Sequence, residues 1–552
     1  MFQGEPMAQK TLMRRDFIKT VLASIPVFAL DWESFPKVKP GQDQSNTQNF
    51  DAVIIGSGLG GLSCAAAFAR QGFKPLVLEQ HSKPGGYATT FQRPGGFVFD
   101  VSLHSTTVGE RGGIHNLIPG FPEIKDVEFV PHHDLYRVIY PDHDITVPIK
   151  DLQAYIKTLV GHFPAEKQGI EEIFKDMQGL LKDVNKISAA QGQVDMSNFP
   201  TEYPFLFKAF NKTWGDMIDV RIKDPKLKTI ISSLWGYYGL PPSKLSSFYY
   251  ALPTIGYLTW GGYYPKGKSQ KISDAFVTFI EDHGGKVLLQ KRVEQILVKD
   301  NTAYGVKTAD GKTYNGKVVV SNANAVDTFH NMIDNKDSLK QLFARMEKFS
   351  VSLSSFLVFL GLNKDLIGET GLKDTEIFYN TGYDIEADYE DSLKANLENM
   401  GFGLTLYDNL YDAYSPEGKN TIGIIVLQGY DHWEQFAEDY WKGNKEAYRK
   451  EKERMAEILI QKVENTLLPG LSDAIAVKEI GTPLTNIRYT SNYRGAIYGW
   501  DQTLDNSGNR RFPHTTPIKN LYLSGAWTSP GHGYGAVIPS GLECFAEIMK
   551  SW

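Results

Sequence analysis

Gly56, Gly58 and Gly61 stand at G-x-G-x-x-G spacing, with Ser57, Leu59 and Gly60 between them, and Glu79 follows roughly twenty residues on. In such a run the first glycine permits a tight turn, the second lets backbone approach a pyrophosphate, and the third lets a helix pack on a strand. Free N–H groups at the helix start then face the phosphates. A carboxylate at Glu79, with Gln80 beside it, accepts hydrogen bonds from both hydroxyls of a free ribose and disfavours a 2′-phosphate. The chemistry implied is the binding of a dinucleotide cofactor.

These residues need a strand, a helix and a second strand to hold them. Residues 51–55 (DAVII) read as a short β-branched-rich strand, 62–70 as an Ala-rich helix closed by Gly72, and 75–78 as the strand that delivers Glu79. With strand, helix and acid in register, the glycine run is more than an ordinary turn.

Further segments indicate which dinucleotide is bound. Gly85-Gly86, followed by Tyr87, Ala88 and Thr89, resembles the second glycine turn of FAD enzymes, which carries the chain past the diphosphate and along the flavin. Near the C-terminus, a strand at 521–523 precedes a glycine-rich loop and a helix starting near Ala536. This resembles the closing segment of glutathione-reductase-type flavoproteins, in which the helix N-terminus points at the flavin and favours negative charge on it. The matching positions are Gly525, Ala526, Gly535, Ala536 and Val537; Ala526 stands where many relatives carry Asp. In the middle, residues 284–324 alternate strands with Asp-Gly and Asn-Gly turns. The resemblance implies that Val293 touches adenine through its backbone and that the VVVSNA strand, with Asn322 near its end, returns the chain to the FAD site.

The expected fold is therefore α/β: a Rossmann-like FAD-binding domain of glutathione-reductase type built from 50–150, 266–330 and 496–552. An inserted α+β substrate domain takes 151–265, helical and apolar, and 331–495. Residues 1–35 and 36–49 read as a signal segment and a linker. The chain of 552 residues is long enough for two packed domains.

Charge and composition narrow the partners. Hydrophobic residues make up 42% and charged ones 22%, and the formal net charge of −6 comes without a long basic run, which argues against nucleic acid. The two cysteines, Cys64 and Cys544, lack metal-ligand spacing and read as small apolar helix residues, so no metal site is expected. His132-His133 read as exposed loop residues without chemistry.

The N-terminal stretch MRRDFIKTVLASIPVFAL, from Met13, has a positive region and an apolar run too short to span a bilayer comfortably. Arg14-Arg15-Asp16-Phe17-Ile18-Lys19 resembles a twin-arginine export signal, which implies a periplasmic or exported protein. That route carries folded proteins, as suits a cofactor site assembled from distant segments.

Taken together, the pieces from about residue 50 to the C-terminus resemble the phytoene desaturase, carotenoid isomerase and retinol saturase group of amine-oxidase-like flavoproteins. Supporting stretches are YYGLPPSKLSSF (237–248), GGYYPKG (261–267), SLSSFLVFLGL (352–362), TPLTNIRYT (482–490) and GAIYG (495–499). Gly267-Lys268 departs from the double glycine that relatives carry after YYPK, in a loop expected near the flavin. Asp100 ahead of His104 is closer to the retinol saturase pattern.

The insertion indicates the substrate class. Ile170, Ile173, Phe174, Met177, Leu180, Leu181 and Val184 recur at helical spacing and read as core. YPFLFKAF, LWGYYGL and SSFYYALPTIGYLTWGGYY carry more aromatic surface than a helical cap needs, as an apolar tunnel beside the flavin or a peripheral membrane-facing patch would. A polyene, isoprenoid quinone or fatty acyl chain fits. Flavin supplies hydride chemistry, and saturating a C=C bond also needs a proton. His104 is the first candidate donor, since imidazole holds a proton near neutral pH; His532 and Tyr534 are weaker ones. The reading is an FAD-dependent oxidoreductase acting on a C=C bond of a lipophilic substrate, with reduction favoured. Its electron donor or acceptor, a quinone or a nicotinamide, is open. Desaturation, cis–trans isomerisation, amine oxidation and a non-catalytic flavin electron-transfer or lipid-binding role are the alternatives.

Overall fold

The computed structural model describes residues 32–37, 49–102, 104–107, 124, 127–189 and 198–552. The arginine pair and most of the linker lie outside the described residues.

Strands Val293–Lys299, Thr302–Thr308, Thr313–Ser321, Asn49–Ile55, Pro75–Leu78 and Lys286–Leu288 follow one another across the first sheet, and Leu521–Leu523 pairs with the end of Thr313–Ser321. The pairings of Asn49–Ile55 with both neighbours are parallel, Ile54 standing opposite Val320 on one side and Val77 on the other. Side chains alternate between two cores, as the strand period of two requires. Ala52, Ile54, Val77, Val318 and Val320 pack with helices Leu59–Arg70, Gln270–Asp282 and Tyr534–Met549, whereas Val53, Ile55, Leu76, Leu78 and Val319 face Phe329, Trp500 and Phe512. Burial on both faces explains why DAVII reads as continuously apolar. The helix expected at 62–70 starts earlier, at Leu59 after Gly58, so Gly60 and Gly61 lie in its first turn.

A second sheet runs Ile475–Gly481, Ser354–Leu362, Asn420–Gln428, Phe402–Thr405, Glu376–Tyr379, Asp134–Tyr140, His143–Pro148. Its pairings are antiparallel except that between Glu376–Tyr379 and Asp134–Tyr140. The sequence reading ends the first nucleotide-binding segment at 150, but the chain joins this second sheet by residue 134. The reason is burial: Leu135, Val138, Ile145 and Val147 complete the core of the helical layer.

That layer, from Leu152–His162 to Ser247–Trp260, covers the second sheet. In helix Lys167–Ala189 the predicted stripe is core, with Ile170, Ile173, Phe174, Met177, Leu180 and Val184 buried. Among the described residues no helix is long and apolar enough to cross a membrane. Cys64 and Cys544 are free and buried where helices Leu59–Arg70 and Tyr534–Met549 cross.

Candidate active site

Three distant segments meet around Asn322. A Cβ on Gly58 would lie 2.7 Å from Asn322 Nδ2, one on Gly525 would lie 2.4 Å from Asn322 Oδ1, and one on Gly60 would lie 2.7 Å from Gly525 Cα. A Cβ on Gly61 would come within 2.3 Å of the Gly56 carbonyl oxygen. Gly56 and Gly525 both have φ +91°, a conformation that costs a side-chain-bearing residue strain. The backbone is thus bare on the wall where a diphosphate must come close, and the site fits a dinucleotide.

Glu79 borders the cavity and is itself anchored. Its Oε2 accepts the backbone N–H of Ser57 at 2.8 Å and the Ser57 hydroxyl at 2.7 Å, and its Oε1 accepts the His81 N–H at 2.8 Å. A carboxylate offers about four acceptor positions. With these bonds kept, Oε1 has one acceptor position left for a further donor. Gln80 accepts from the Ser491 hydroxyl at 3.1 Å and donates to the Tyr489 carbonyl at 3.3 Å.

The second glycine turn packs on the first. The Gly85 N–H donates to the Ser57 carbonyl at 2.9 Å, and a Cβ on Gly86 would stand 3.3 Å from Gly58 Cα. Tyr87 lines the cavity, its hydroxyl near the Ala496 carbonyl at 3.4 Å. Thr89 does not line it, because its hydroxyl donates to Gln270 Oε1 at 2.6 Å. Ser57 and Gly61 likewise shape the site without lining it. Gly535, Ala536 and Val537 lie in the first turn of Tyr534–Met549, where the positive helix end meets the cavity. Gly56, Gly58, Leu59, Gly60, Glu79, Gln80, Val293, Asn322, Gly525 and Ala526 also border it.

From this cradle one cavity of about 1460 Å³ continues into an apolar chamber walled by Leu181, Phe248, Leu252, Phe378, Ile425 and Leu427. Single-ligand pockets hold roughly 300 to 1000 Å³, so this space suits a cofactor and a second molecule together. Trp260, on its wall, is 41% exposed.

His104, Tyr237, Tyr249, Tyr498 and His532 are among the chamber's polar groups, as is the acid Asp388. Burial pushes the His104 imidazole down to about 4. It is therefore neutral at pH 7, contrary to the expectation that it stores a proton there. His532 is pushed down to about 3 by burial and the Arg511 charge, and stacks on Tyr498 with ring centroids 4.1 Å apart. Tyr534 borders the cavity with its hydroxyl buried.

Other expectations change too. His132 is buried, its Nδ1 2.7 Å from the Thr375 hydroxyl, while His133 is exposed as expected. Lys268 does not reach the cavity: its ammonium lies 2.9 Å from the centre of the Tyr414 ring and donates to the Tyr414 carbonyl at 3.2 Å. Asp100 also faces away, accepting from the Tyr264 hydroxyl at 2.6 Å and the Ser269 N–H at 2.8 Å. Glu376, a buried acid bonded to the cavity-lining Tyr237, belongs to no motif in the sequence. Its one signal is an acid heading the apolar strand EIFY.

Comparison with known proteins places this geometry. Residues 59–548 match the family described as flavin containing amine oxidoreductase. Prolycopene isomerase 1, chloroplastic, of an Oncidium hybrid cultivar is 29% identical over 512 residues, covering 91% of this chain and 84% of its own. All-trans-retinol 13,14-reductase of Danio rerio is 27% identical over 541 residues, covering 91% and 86%. A solved oxidoreductase from Methanosarcina mazei shares the fold with a TM-score of 0.59 at 17% identity, over 91% of this chain and 100% of its own.

Proposed function

The chain belongs to the flavin containing amine oxidoreductase family, and from that premise we propose that it acts, with FAD, on a C=C bond of a lipophilic isoprenoid or retinoid polyene, saturation being the favoured outcome. The observation that carries the reading is the single cavity running from the glycine cradle into the apolar chamber. FAD supplies hydride chemistry. The chain supplies the rest: Gly56, Gly58 and Asn322 shape the diphosphate wall, Glu79 holds a ribose hydroxyl, and the chamber excludes water from an apolar substrate. One relative is named for reducing all-trans-retinol, which supports the choice of reaction.

Isomerisation is the second reading, favoured by the relative named prolycopene isomerase. Electrons would come from a diffusible quinone or nicotinamide, since the one G-x-G-x-x-G cradle takes FAD. Substrate would reach the chamber from a membrane surface, with exposed Trp260 at the cavity wall as a contact point. The arginine pair at 14 and 15 would direct export of the folded holoprotein. Anaerobic mixing of the flavin-reduced enzyme with retinoids and carotenoids, followed by flavin absorbance, tests the proposal: reoxidation by a polyene supports it, and inertness toward all of them refutes it.

A further inference from the structure

Tyr237 and Glu376 form a pair that the dinucleotide cradle does not use. Tyr237, in the short helix Trp235–Tyr238, lines the chamber; Glu376 opens the strand Glu376–Tyr379 and is 1% exposed. With Glu376 ionised, the Tyr237 hydroxyl donates to Oε2 at 2.7 Å and the Tyr407 hydroxyl donates to Oε1.

No positive charge among the described residues pairs with this carboxyl. Facing it are Tyr237, Tyr407 in the turn Tyr407–Asn409, and Tyr257 from Ser247–Trp260. Next come His104, its ring 5.7 Å from that of Tyr237, and His132, 5.9 Å from that of Tyr407. Both imidazoles are neutral at pH 7, held by burial at about 4 and about 3. Arg137, on the adjacent strand Asp134–Tyr140, is committed to Asp144 and Asp374. A buried carboxyl without a counter-charge keeps its proton, and burial pushes Glu376 up to about 7.

We infer that Tyr237 is the proton donor of the chamber and that Glu376 is the positioning residue that loads it, a role that rests on the reading that a C=C bond is saturated. Protonated Glu376 donates its O–H to the Tyr237 oxygen, which frees the phenolic hydrogen to turn toward the chamber. Ionised Glu376 accepts that hydrogen instead, and the chamber is offered none. In the step itself the phenolic O–H breaks as a C–H bond forms at one alkene carbon, while the Glu376 O–H breaks as the phenol is restored. The other carbon receives hydride, with its electron pair, from reduced flavin as the reductant. Glu376, left as carboxylate, recovers a proton from solvent between turnovers.

The test compares the FAD-loaded wild type with Glu376→Gln and Tyr237→Phe. Infrared difference titration of the wild type, without substrate, is expected to show protonated carboxyl stretches that fade as pH rises through about 7, of which Glu376→Gln lacks one and keeps that of Asp388, also raised to about 7 by burial. In anaerobic reoxidation with all-trans-retinol, Tyr237→Phe is expected to lose about 10²-fold or more in rate, and Glu376→Gln to lose the wild-type decline above pH 7. An infrared titration that is identical in wild type and Glu376→Gln, or a Tyr237→Phe rate within about threefold of wild type, overturns the inference. Failure of every polyene to reoxidise the wild type counts against the substrate reading, while the infrared titration still decides whether the chamber holds this acid.

Discussion

Ser57 presents both its backbone N–H and its hydroxyl to one oxygen of Glu79, at 2.8 and 2.7 Å. The first glycine turn and the acid at the end of the next strand are thereby locked to each other before any ligand arrives. One position on Glu79 Oε1 remains for a ribose hydroxyl. Glu79→Ala removes that bond and leaves the Ser57 donors unpaired, and hydrogen bonds to charged groups are worth about 1.5 to 3 kcal/mol. FAD affinity should fall roughly 10- to 100-fold, read by quenching of flavin fluorescence on binding. Full affinity in the variant would remove Glu79 from the site.

Gly60 tests the cradle from the other side. Its missing Cβ would sit 2.7 Å from Gly525 Cα and 2.8 Å from Asn322 Oδ1, and the Gly525 backbone leaves little room to give. Gly60→Ala should cost about 1 to 3 kcal/mol and reduce the FAD retained through purification. Gly161→Ala, in helix Leu152–His162 with nothing within 4 Å of its Cβ position, is the control and should be neutral or mildly stabilising. Equal flavin retention in both variants would contradict the close approach of the two segments.

Glu376 also predicts a pH dependence of stability. Its carboxyl rises from 4.5 to about 7 on folding, so the fold binds the proton more tightly than the unfolded chain does. That contribution is fully present below about pH 4.5 and is lost as pH rises through about 7, a change on the order of 3 kcal/mol. Glu376→Gln does not titrate. Its Tm relative to wild type should therefore rise between about pH 5 and pH 8.5. Asp388 and Asp501 are also raised by burial, but both proteins carry them, so the difference isolates Glu376. A Tm difference that is flat with pH would mean that Glu376 is not protonated in the fold.

The parts legible in the sequence were those fixed by local chemistry. The turn glycines, the strand Pro75–Leu78 and the strand Leu521–Leu523 fall where their residues predict, because a positive φ or a doubly buried strand leaves few alternatives. The second sheet was harder to place. DLYRVIY alternates as a strand should, yet nothing in it says that its partner is EIFY, more than two hundred residues on. The protonation states were illegible for the same reason. The His104 imidazole is pushed down to about 4 and the Glu376 carboxyl up to about 7 by burial, and those walls come from helices and strands remote in sequence. Thr89 stands off the cavity wall because Gln270, which takes its hydroxyl, arrives from another segment.

The arginine pair makes a separate prediction. A cofactor site closed by Gly58, Asn322 and Gly525 forms only in the folded chain, and a twin-arginine route would carry it folded. Arg14→Lys with Arg15→Lys should leave FAD-loaded protein in the cytoplasm of a host with that route, checked by fractionation and flavin absorbance. Unchanged export would refute the signal.

The central claim is that FAD and a polyene share one cavity and exchange reducing equivalents there. Its most direct test is single-turnover stopped-flow absorbance of the anaerobically reduced holoenzyme with all-trans-retinol, with the product analysed by mass spectrometry. Flavin reoxidation at a rate that depends on retinol, with a product heavier by two hydrogens, is the expected result. Reduced flavin that persists with retinol and every other polyene, while the oxidised flavin is reduced by a primary amine, would contradict it, and the persistence alone would suffice.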